Sequence, residues 1–208
     1  DSPLTWLPAI EHFGEGVFFS LREEALKKWE EQRAVRWREE EFSKGFLAWQ
    51  AKRKDRARLK PDFATARFVL LHSLSHLLIT AVSLECGYSA SSIRERIYAS
   101  EGGSGLLLYT ASPGAEGSLG GLAEVGRHLE RYLEKALDLG RLCSNDPVCA
   151  AHQPEHEDGG GDRHLEGASC HGCLLISEPS CERMNVYLDR TLVVPTIEHS
   201  DAAFFGGR

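Results

Sequence analysis

The chain lacks the apolar segments that would take it into or across a membrane. Polar or charged residues interrupt every hydrophobic stretch before the ~18 residues needed to span a bilayer. The N-terminal region also lacks the basic and apolar segments of a secretory signal. These absences predict a cytoplasmic protein with no membrane contact. Because the sequence opens at Asp1 without a methionine, we expect it to be part of a longer protein.

An excess of positive charge is missing as well. The 24 Lys and Arg residues against 31 Asp and Glu give a net charge of -7, which excludes a general attraction for nucleic acid. A single dense basic run, which we call the basic segment, comprises Lys52, Arg53, Lys54, Arg56, Arg58 and Lys60. Two interpretations carry equal weight: contact with DNA phosphates, or a solvated helix end favoured by the helix dipole.

Motifs of common catalytic sites are absent from the sequence. There is no Gly-x-Ser-x-Gly elbow, kinase motif set or calcium-binding loop. The glycine-rich stretch from Ala111 to Gly121 matches neither the phosphate-binding GxxxxGK[ST] motif nor the dinucleotide-binding GxGxxG motif. We therefore predict that the chain is not an enzyme, has no catalytic residues and does not hydrolyse ATP.

Cysteines, by contrast, are concentrated late in the chain. Cys86 stands alone, and the others are Cys143, Cys149, Cys170, Cys173 and Cys181. Without a secretory signal, such clustering indicates a metal site rather than disulfides. The Cys170–Cys173 knuckle can supply two thiolates to a tetrahedral Zn²⁺, with the remaining ligands drawn from the other three thiols or, less favoured, His152. All-thiolate ligation predicts a closed structural site, and a redox-active CxxC is the less favoured alternative.

A pair of histidines lies in the most apolar segment of the chain. His72 and His76 are four residues apart, which is the spacing of a zinc-binding helical pair. No glutamate lies between them, so the general base of an HExxH site is missing. We favour two core histidines that form hydrogen bonds with the backbone or with hydroxyl groups.

The hydrophobic pattern predicts an α+β fold in which helices pack on a small sheet and a cysteine-ligated zinc lobe closes the C-terminal end. We expect one domain of residues 1–208 with three regions. Residues 1–60 form an N-terminal strand and a charged helical region, residues 61–142 an α/β core, and residues 143–208 the zinc-binding lobe. In detail, we expect a strand at Val17–Phe19, a helix cap at Ser20 and a possible break at Gly45.

The later elements are predicted in the same way. We expect a buried helix over Phe63–Leu84, a buried strand over Leu106–Thr110, one amphipathic helix over Leu122–Leu139 closed by Gly140, and a short helix over Glu182–Leu192 followed by an edge at Val193–Pro195. Residues Ile93–Ala99 fit a helix or a strand equally well.

Several segments, in this order, resemble the MZB family of helicase-associated zinc-binding domains. The segments are Glu11–Gly16, Leu71–Ile79, Glu85–Ser89, Arg94–Tyr98, Leu108–Ser112, Gly117–Leu122, Cys143–Cys149, Gly167–Cys173, Ser180–Glu182, Asn185 and Leu188–Arg190. The resemblance covers nearly the whole chain and is greatest to the stand-alone form of the domain in the DISARM antiphage system.

The resemblance implies a function that the residues alone do not give. In this family a cysteine-ligated zinc domain accompanies superfamily 2 DNA helicases, and the DISARM form lacks a motor and pairs with a separate helicase subunit. It implies a non-enzymatic accessory module in bacterial antiphage defence that contributes to helicase docking and, through the complex, to DNA engagement. The alternatives are a stand-alone zinc-dependent hydrolase using His72 and His76, or an independent nucleic-acid-binding zinc module.

The resemblance also implies a set of zinc ligands. Carried over position by position, it favours Cys170, Cys173 and Cys181 together with Cys149 or Cys143. We prefer Cys149, because it lies closer to the knuckle in sequence, and keep Cys143 as the alternative ligand. The longer spacing from Cys173 to Cys181 and the additional upstream cysteine depart from the family pattern.

Overall fold

The fold is α+β, as the sequence predicts. The computed structural model describes residues 14–52, 62–100, 103–110, 121–154 and 163–206. The strands and helices are, in chain order, β1 (Gly16–Ser20), α1 (Glu23–Glu30), α2 (Arg33–Lys52), α3 (Ala66–Cys86), β2 (Ile93–Ser100), β3 (Gly103–Thr110), α4 (Gly121–Arg127) and α5 (Leu129–Arg141). The described residues after α5, which we call the C-terminal lobe, contain only turns and the short 3₁₀ segments Glu178–Ser180 and Arg190–Leu192.

The sheet is antiparallel, with strand order β1-β3-β2. The strands predicted at Val17–Phe19 and Leu106–Thr110 are confirmed as parts of β1 and β3. Residues 93–99, which fitted either a helix or a strand, lie in β2. Its residues alternate between a buried and an exposed face, as they must where only one face of a strand packs on a core.

Helix α3 runs through the core, as the apolar segment predicts. Thr65 caps its N-terminus by accepting a hydrogen bond from the Phe68 amide, and Gly87 ends it with a φ of 71°. Contrary to the sequence-based expectation, α3 is long and apolar enough to cross a membrane by length and composition. However, 72% of its most apolar window is buried inside the protein, as in a core helix.

The charged helical region consists of α1 and α2 rather than starting at a Ser20 cap. Ser20 is the last residue of β1, and Arg22 occupies the N-cap position of α1 without a side-chain cap. Gly45 does not break the helix but lies inside α2, against the C-terminal lobe. A Cβ atom at Gly45 would lie 2.2 Å from the carbonyl oxygen of His164 and 2.7 Å from the Pro154 side chain. Glycine is therefore required for this close approach.

Two other predictions from the pattern are wrong. The single helix predicted over Leu122–Leu139 is divided at His128 into α4 and α5, and Gly140 lies within α5. The segment Glu182–Leu192 is mostly turns, and Met184, Asn185 and Tyr187 have positive φ angles of 52°, 60° and 60°. A helix cannot contain such residues, because its φ angles are negative. The edge predicted at Val193–Pro195 does not form a strand, although Val193 and Val194 are fully buried.

Candidate metal centres

Within the described residues, metal-binding side chains gather at two places. The four-cysteine site consists of Cys143, Cys149, Cys170 and Cys173. The mixed site consists of His72, His76, Glu95 and Cys181. At each place, one potential ligand atom per residue lies within 4.8 Å of all the others.

The sulfur atoms of the four-cysteine site have the spacing of a metal tetrahedron. Cys143 Sγ lies 3.5 Å from Cys170 Sγ, and Cys173 Sγ lies 3.7 Å from both Cys149 Sγ and Cys170 Sγ. A disulfide requires about 2.05 Å, and all these cysteines are free. Zinc–sulfur bonds of about 2.3 Å in a tetrahedron separate the sulfurs by about 3.8 Å. The distances therefore match thiolates around one zinc ion.

Backbone amides orient the sulfurs of this site. The Asn145 amide donates to Cys143 Sγ at 3.4 Å, and the Gly172 amide donates to Cys170 Sγ at 3.3 Å. Each donor is two residues after its cysteine. A Cβ atom at Gly172 would lie 2.9 Å from the Ser144 hydroxyl, so the glycine inside the knuckle lets it pack against the Cys143 turn.

The pKa values of three thiols in the site are shifted from their usual range. The hydrogen bond with Cys173 lowers the pKa of Cys149 to about 6 against the opposing effect of burial, and the charge of Arg190 acts in the same direction. The same hydrogen bond raises the pKa of Cys173, and burial raises that of Cys143 to about 11. A metal ion that binds here must displace the protons held by these thiols, so its affinity falls as the pH falls.

The structure groups the cysteines differently from the set favoured by the resemblance. Cys143 takes the place predicted for Cys181, beside Cys149, Cys170 and Cys173. Cys181 instead lies against α3, with its Sγ 3.2 Å from His72 Nε2. Cys143 and Cys149 belong to one turn that faces the knuckle, so their distances along the sequence do not separate them as ligands. His152 is not in either group; its Nε2 lies 3.3 Å from the Arg163 carbonyl oxygen.

The mixed site is buried in the core between α3, β2 and the C-terminal lobe. His72 and His76 are fully buried, as expected for core histidines, and their rings meet edge to face at 4.6 Å. Glu95 Oε1 lies 2.9 Å from His72 Nε2 and 3.2 Å from His76 Nε2. Burial alone would raise the pKa of the Glu95 carboxyl group, but the charges and hydrogen bonds of both histidines lower it. Sequence reasoning missed Glu95, because residues 93–99 fitted a helix or a strand equally well and the inward position of Glu95 follows only from the strand.

Most of the predicted DNA-binding residues lie outside the described part of the chain. Lys52 is the exposed last residue of α2. The structure does not describe residues 53–61, which contain Arg53, Lys54, Arg56, Arg58 and Lys60. It also does not describe residues 111–120, which make up most of the glycine-rich stretch.

Comparison with known families agrees with the four-cysteine site. Residues 74–174 match the MZB family, described as the MrfA Zn-binding domain. This range includes all of Cys143, Cys149, Cys170 and Cys173 but neither His72 nor Cys181. The chain carries an MZB zinc-binding domain. The resemblance identified from the sequence motifs is thus confirmed, and zinc is the cofactor that both the family and the cysteine cluster fit.

A relative of the MZB-containing chain carries the name of a defence system. The chain is 41% identical over 205 residues to the DISARM protein DrmB of Bacillus paralicheniformis. The alignment covers 97% of the chain but 35% of the relative, so the chain spans about a third of the length of this protein.

Proposed function

We propose that the chain is a non-enzymatic, zinc-stabilised accessory module of a DISARM-type antiphage system. In this proposal it works in the bacterial cytoplasm, where it partners a superfamily 2 DNA helicase and helps the complex to engage DNA. The four-cysteine site carries the proposal, because its sulfur spacing fits a closed zinc site inside the range that matches the MZB family. The DISARM name of the relative supplies the biological setting.

The zinc ion in this proposal is held by Cys143, Cys149, Cys170 and Cys173. With all positions of the tetrahedron taken by protein sulfurs, no position remains for a water nucleophile, so the ion is structural. The C-terminal lobe has no strand or α-helix among its described residues. Zinc binding therefore contributes directly to its folding free energy.

Burial argues against the alternative of a zinc hydrolase. His72 and His76 are both 0% exposed, and Glu95 is 3% exposed. A catalytic zinc needs an open position that substrate can reach, and these side chains do not offer one.

The outer face of the sheet supports the proposed contact with DNA. Phe18 is 56% exposed and Tyr98 44% exposed, and their rings pack edge to face at 5.7 Å. Arg94 and Arg96 extend from the same face of β2 and are exposed. Exposed aromatic rings with neighbouring cations suit stacking with unpaired bases and contact with phosphates. This face is one proposed DNA-binding element, and the basic segment is the other.

Reconstitution tests the helicase partnership. The chain is co-expressed with the helicase subunit of its own defence system, and the two are analysed by size-exclusion chromatography. We expect them to elute together, and we expect Cys170→Ser/Cys173→Ser to abolish the association while Cys86→Ser retains it. Separate elution of the wild-type chain and the helicase at micromolar concentrations would contradict the partnership.

Salt titrations test the DNA contact. The variants Arg94→Gln/Arg96→Gln and Lys52→Gln/Arg53→Gln/Arg56→Gln/Arg58→Gln are compared with the wild type within the helicase complex. Each lost phosphate contact should reduce the salt dependence of single-stranded DNA affinity by about one unit of logarithmic slope. Unchanged slopes in both variants would contradict the proposed DNA contact. A change in only one variant would identify which of the two elements binds DNA.

A further inference from the structure

The mixed site has the stereochemistry of a metal centre that the four-cysteine site does not explain. His72 Nδ1 lies 3.1 Å from the Tyr187 carbonyl oxygen, and His76 Nδ1 lies 2.8 Å from the Leu174 carbonyl oxygen. A carbonyl oxygen only accepts hydrogen bonds, so each ring carries a proton on Nδ1. In the neutral form of each ring, the Nε2 lone pair is left to point into the site. Hydrogen bonds of this kind orient the histidine ligands of metals.

The carboxylate and the sulfur of the site are held in the same way. The Ser75 hydroxyl donates to Glu95 Oε2, and the Glu182 amide donates to Glu95 Oε1 at 3.2 Å. Cys181 Sγ accepts hydrogen bonds from the Arg183 amide at 3.3 Å and the Asn185 amide at 3.2 Å. The first of these repeats the amide-to-sulfur arrangement at Cys143 and Cys170. The positive φ angles of Met184 and Asn185 belong to the loop that brings these amides to the sulfur.

Electron pairs therefore converge on one buried point. The Nε2 atoms of both histidines, the carboxylate and the sulfur all face each other, and the side chains are between 0% and 8% exposed. A single divalent cation would neutralise the carboxylate and the thiolate together.

We infer that His72, His76, Glu95 and Cys181 form a second, structural binding site for a divalent transition-metal ion, with zinc as the ion that fits best. Two imidazole nitrogens, one sulfur and one carboxylate oxygen are ligands that zinc accepts in a tetrahedron. Its ligand atoms would lie about 3.3–3.6 Å apart, so the observed separations of 2.9–3.2 Å need only a small expansion.

The second ion would join parts of the chain that the first ion does not. It would attach the C-terminal lobe, through Cys181, to α3 and β2 in the core. The ligands His72 and Cys181 are 109 residues apart, so coordination would close a long loop. The sites are also adjacent in the chain, because the carbonyl that accepts from His76 belongs to Leu174, the residue after Cys173.

Metal analysis of the unmodified chain tests the inference without relying on any variant. After anaerobic reconstitution with zinc and removal of free metal, elemental analysis should find two zinc ions per chain. X-ray absorption at the zinc edge should give an average of about 2.5 sulfur and 1.5 nitrogen or oxygen ligands per zinc. One zinc per chain with sulfur ligands alone would overturn the inference while leaving the four-cysteine site intact.

Variants then identify the residues that bind the second ion. Cys181→Ser and His76→Gln should each reduce the zinc content from two ions to one, and the remaining zinc should show sulfur ligands only. The matched control is Cys86→Ser, because Cys86 is an exposed cysteine outside both sites, and it should retain both ions. Two zinc ions in folded Cys181→Ser with an unchanged absorption spectrum would overturn the assignment. If Cys181→Ser does not fold, the average number of sulfur ligands per zinc in the wild type decides whether the second site exists.

Discussion

Arg38 Nε donates to Asp189 Oδ2 at 2.5 Å, and both side chains are essentially excluded from solvent. The other carboxylate oxygen, Oδ1, accepts hydrogen bonds from the Ala168 amide and from the amide and hydroxyl of Thr191. The Asp189 amide in turn donates to the Ser73 hydroxyl on α3 at 2.8 Å. Through its carboxylate and its backbone amide, Asp189 thus connects α2, α3 and the chain beside the zinc knuckle.

Removing the charge of Asp189 should destabilise the protein strongly. Asp189→Asn keeps the shape of the side chain but leaves the Arg38 guanidinium buried without its counter-charge, which costs about 3–5 kcal/mol in comparable cases. Unfolding by urea measures the change in free energy. The control is Arg127→Ala, which removes an exposed ion pair with Glu124 and should cost less than about 1 kcal/mol. Equal effects of the two variants would contradict this role of Asp189.

The same pair predicts how stability depends on pH. Burial alone would raise the pKa of Asp189, but the charge and hydrogen bond of Arg38, with the hydrogen bonds of Thr191, lower it from its usual value of 3.8. A carboxyl group with a lowered pKa stabilises the folded state above that usual value, and this contribution is lost as the pH falls through the folded-state pKa. The stability difference between wild type and Asp189→Asn should stay constant from pH 7 to about pH 5.

Below about pH 4 this difference should shrink, because the Asp189 carboxyl group takes up a proton in the unfolded wild-type chain while it is still ionised in the folded one. Thermal unfolding of both proteins across this range measures it. Zinc release at low pH affects both proteins, so the comparison isolates Asp189. If the stability difference between wild type and Asp189→Asn already decreases between pH 7 and pH 5, the pKa of Asp189 is not lowered.

The four-cysteine site makes a prediction that separates Cys143 from Cys86. Cys143→Ser should lose one zinc ion per chain relative to wild type, since it removes a ligand whose sulfur lies 3.5 Å from Cys170 Sγ. Cys86→Ser should lose none. Zinc content is measured by elemental analysis after gel filtration. Full retention of zinc in Cys143→Ser would restore the ligand set that includes Cys181.

Gly45→Ala tests the contact between α2 and the C-terminal lobe. An added methyl group would meet the His164 carbonyl oxygen at 2.2 Å, and backbone cannot move aside as a flexible side chain can. We expect a loss of about 1–3 kcal/mol despite the better helix propensity of alanine. Gly103→Ala is the control, because nothing lies within 4 Å of its added methyl group. Thermal melting compares the two, and a stabilised Gly45→Ala would contradict the packing described here.

The sequence predicted the elements whose evidence is local. The apolar run of α3 and the short strands β1 and β3 show their burial directly in their composition. The prediction of a helix over Glu182–Leu192 was wrong because residues of this segment form hydrogen bonds that a helix would not allow. Amides in this segment donate to Cys181, and the Tyr187 carbonyl accepts from His72. Such tertiary contacts override local propensity.

The candidate sites show the same limit. The CxxC knuckle and the upstream cysteines are visible as spacing, so a zinc site was predictable. The set of thiols that forms this site was not predictable, because only the folded structure places Cys143 beside the knuckle and Cys181 beside the histidines. Glu95 joins the histidines through the register of β2 on β3, which no spacing in the sequence reveals.

The contact at Gly45 has a practical consequence for labelling. Pro154 and His164, which flank residues 155–162, both approach the same glycine on α2. The chain therefore departs from this helix and returns to it at nearly one point. A fluorescent protein or affinity tag with its termini close together can be inserted between these anchors without changing the span that the chain must cover. Such an insertion would report on the assembly of the module while all the metal-binding side chains stay in place.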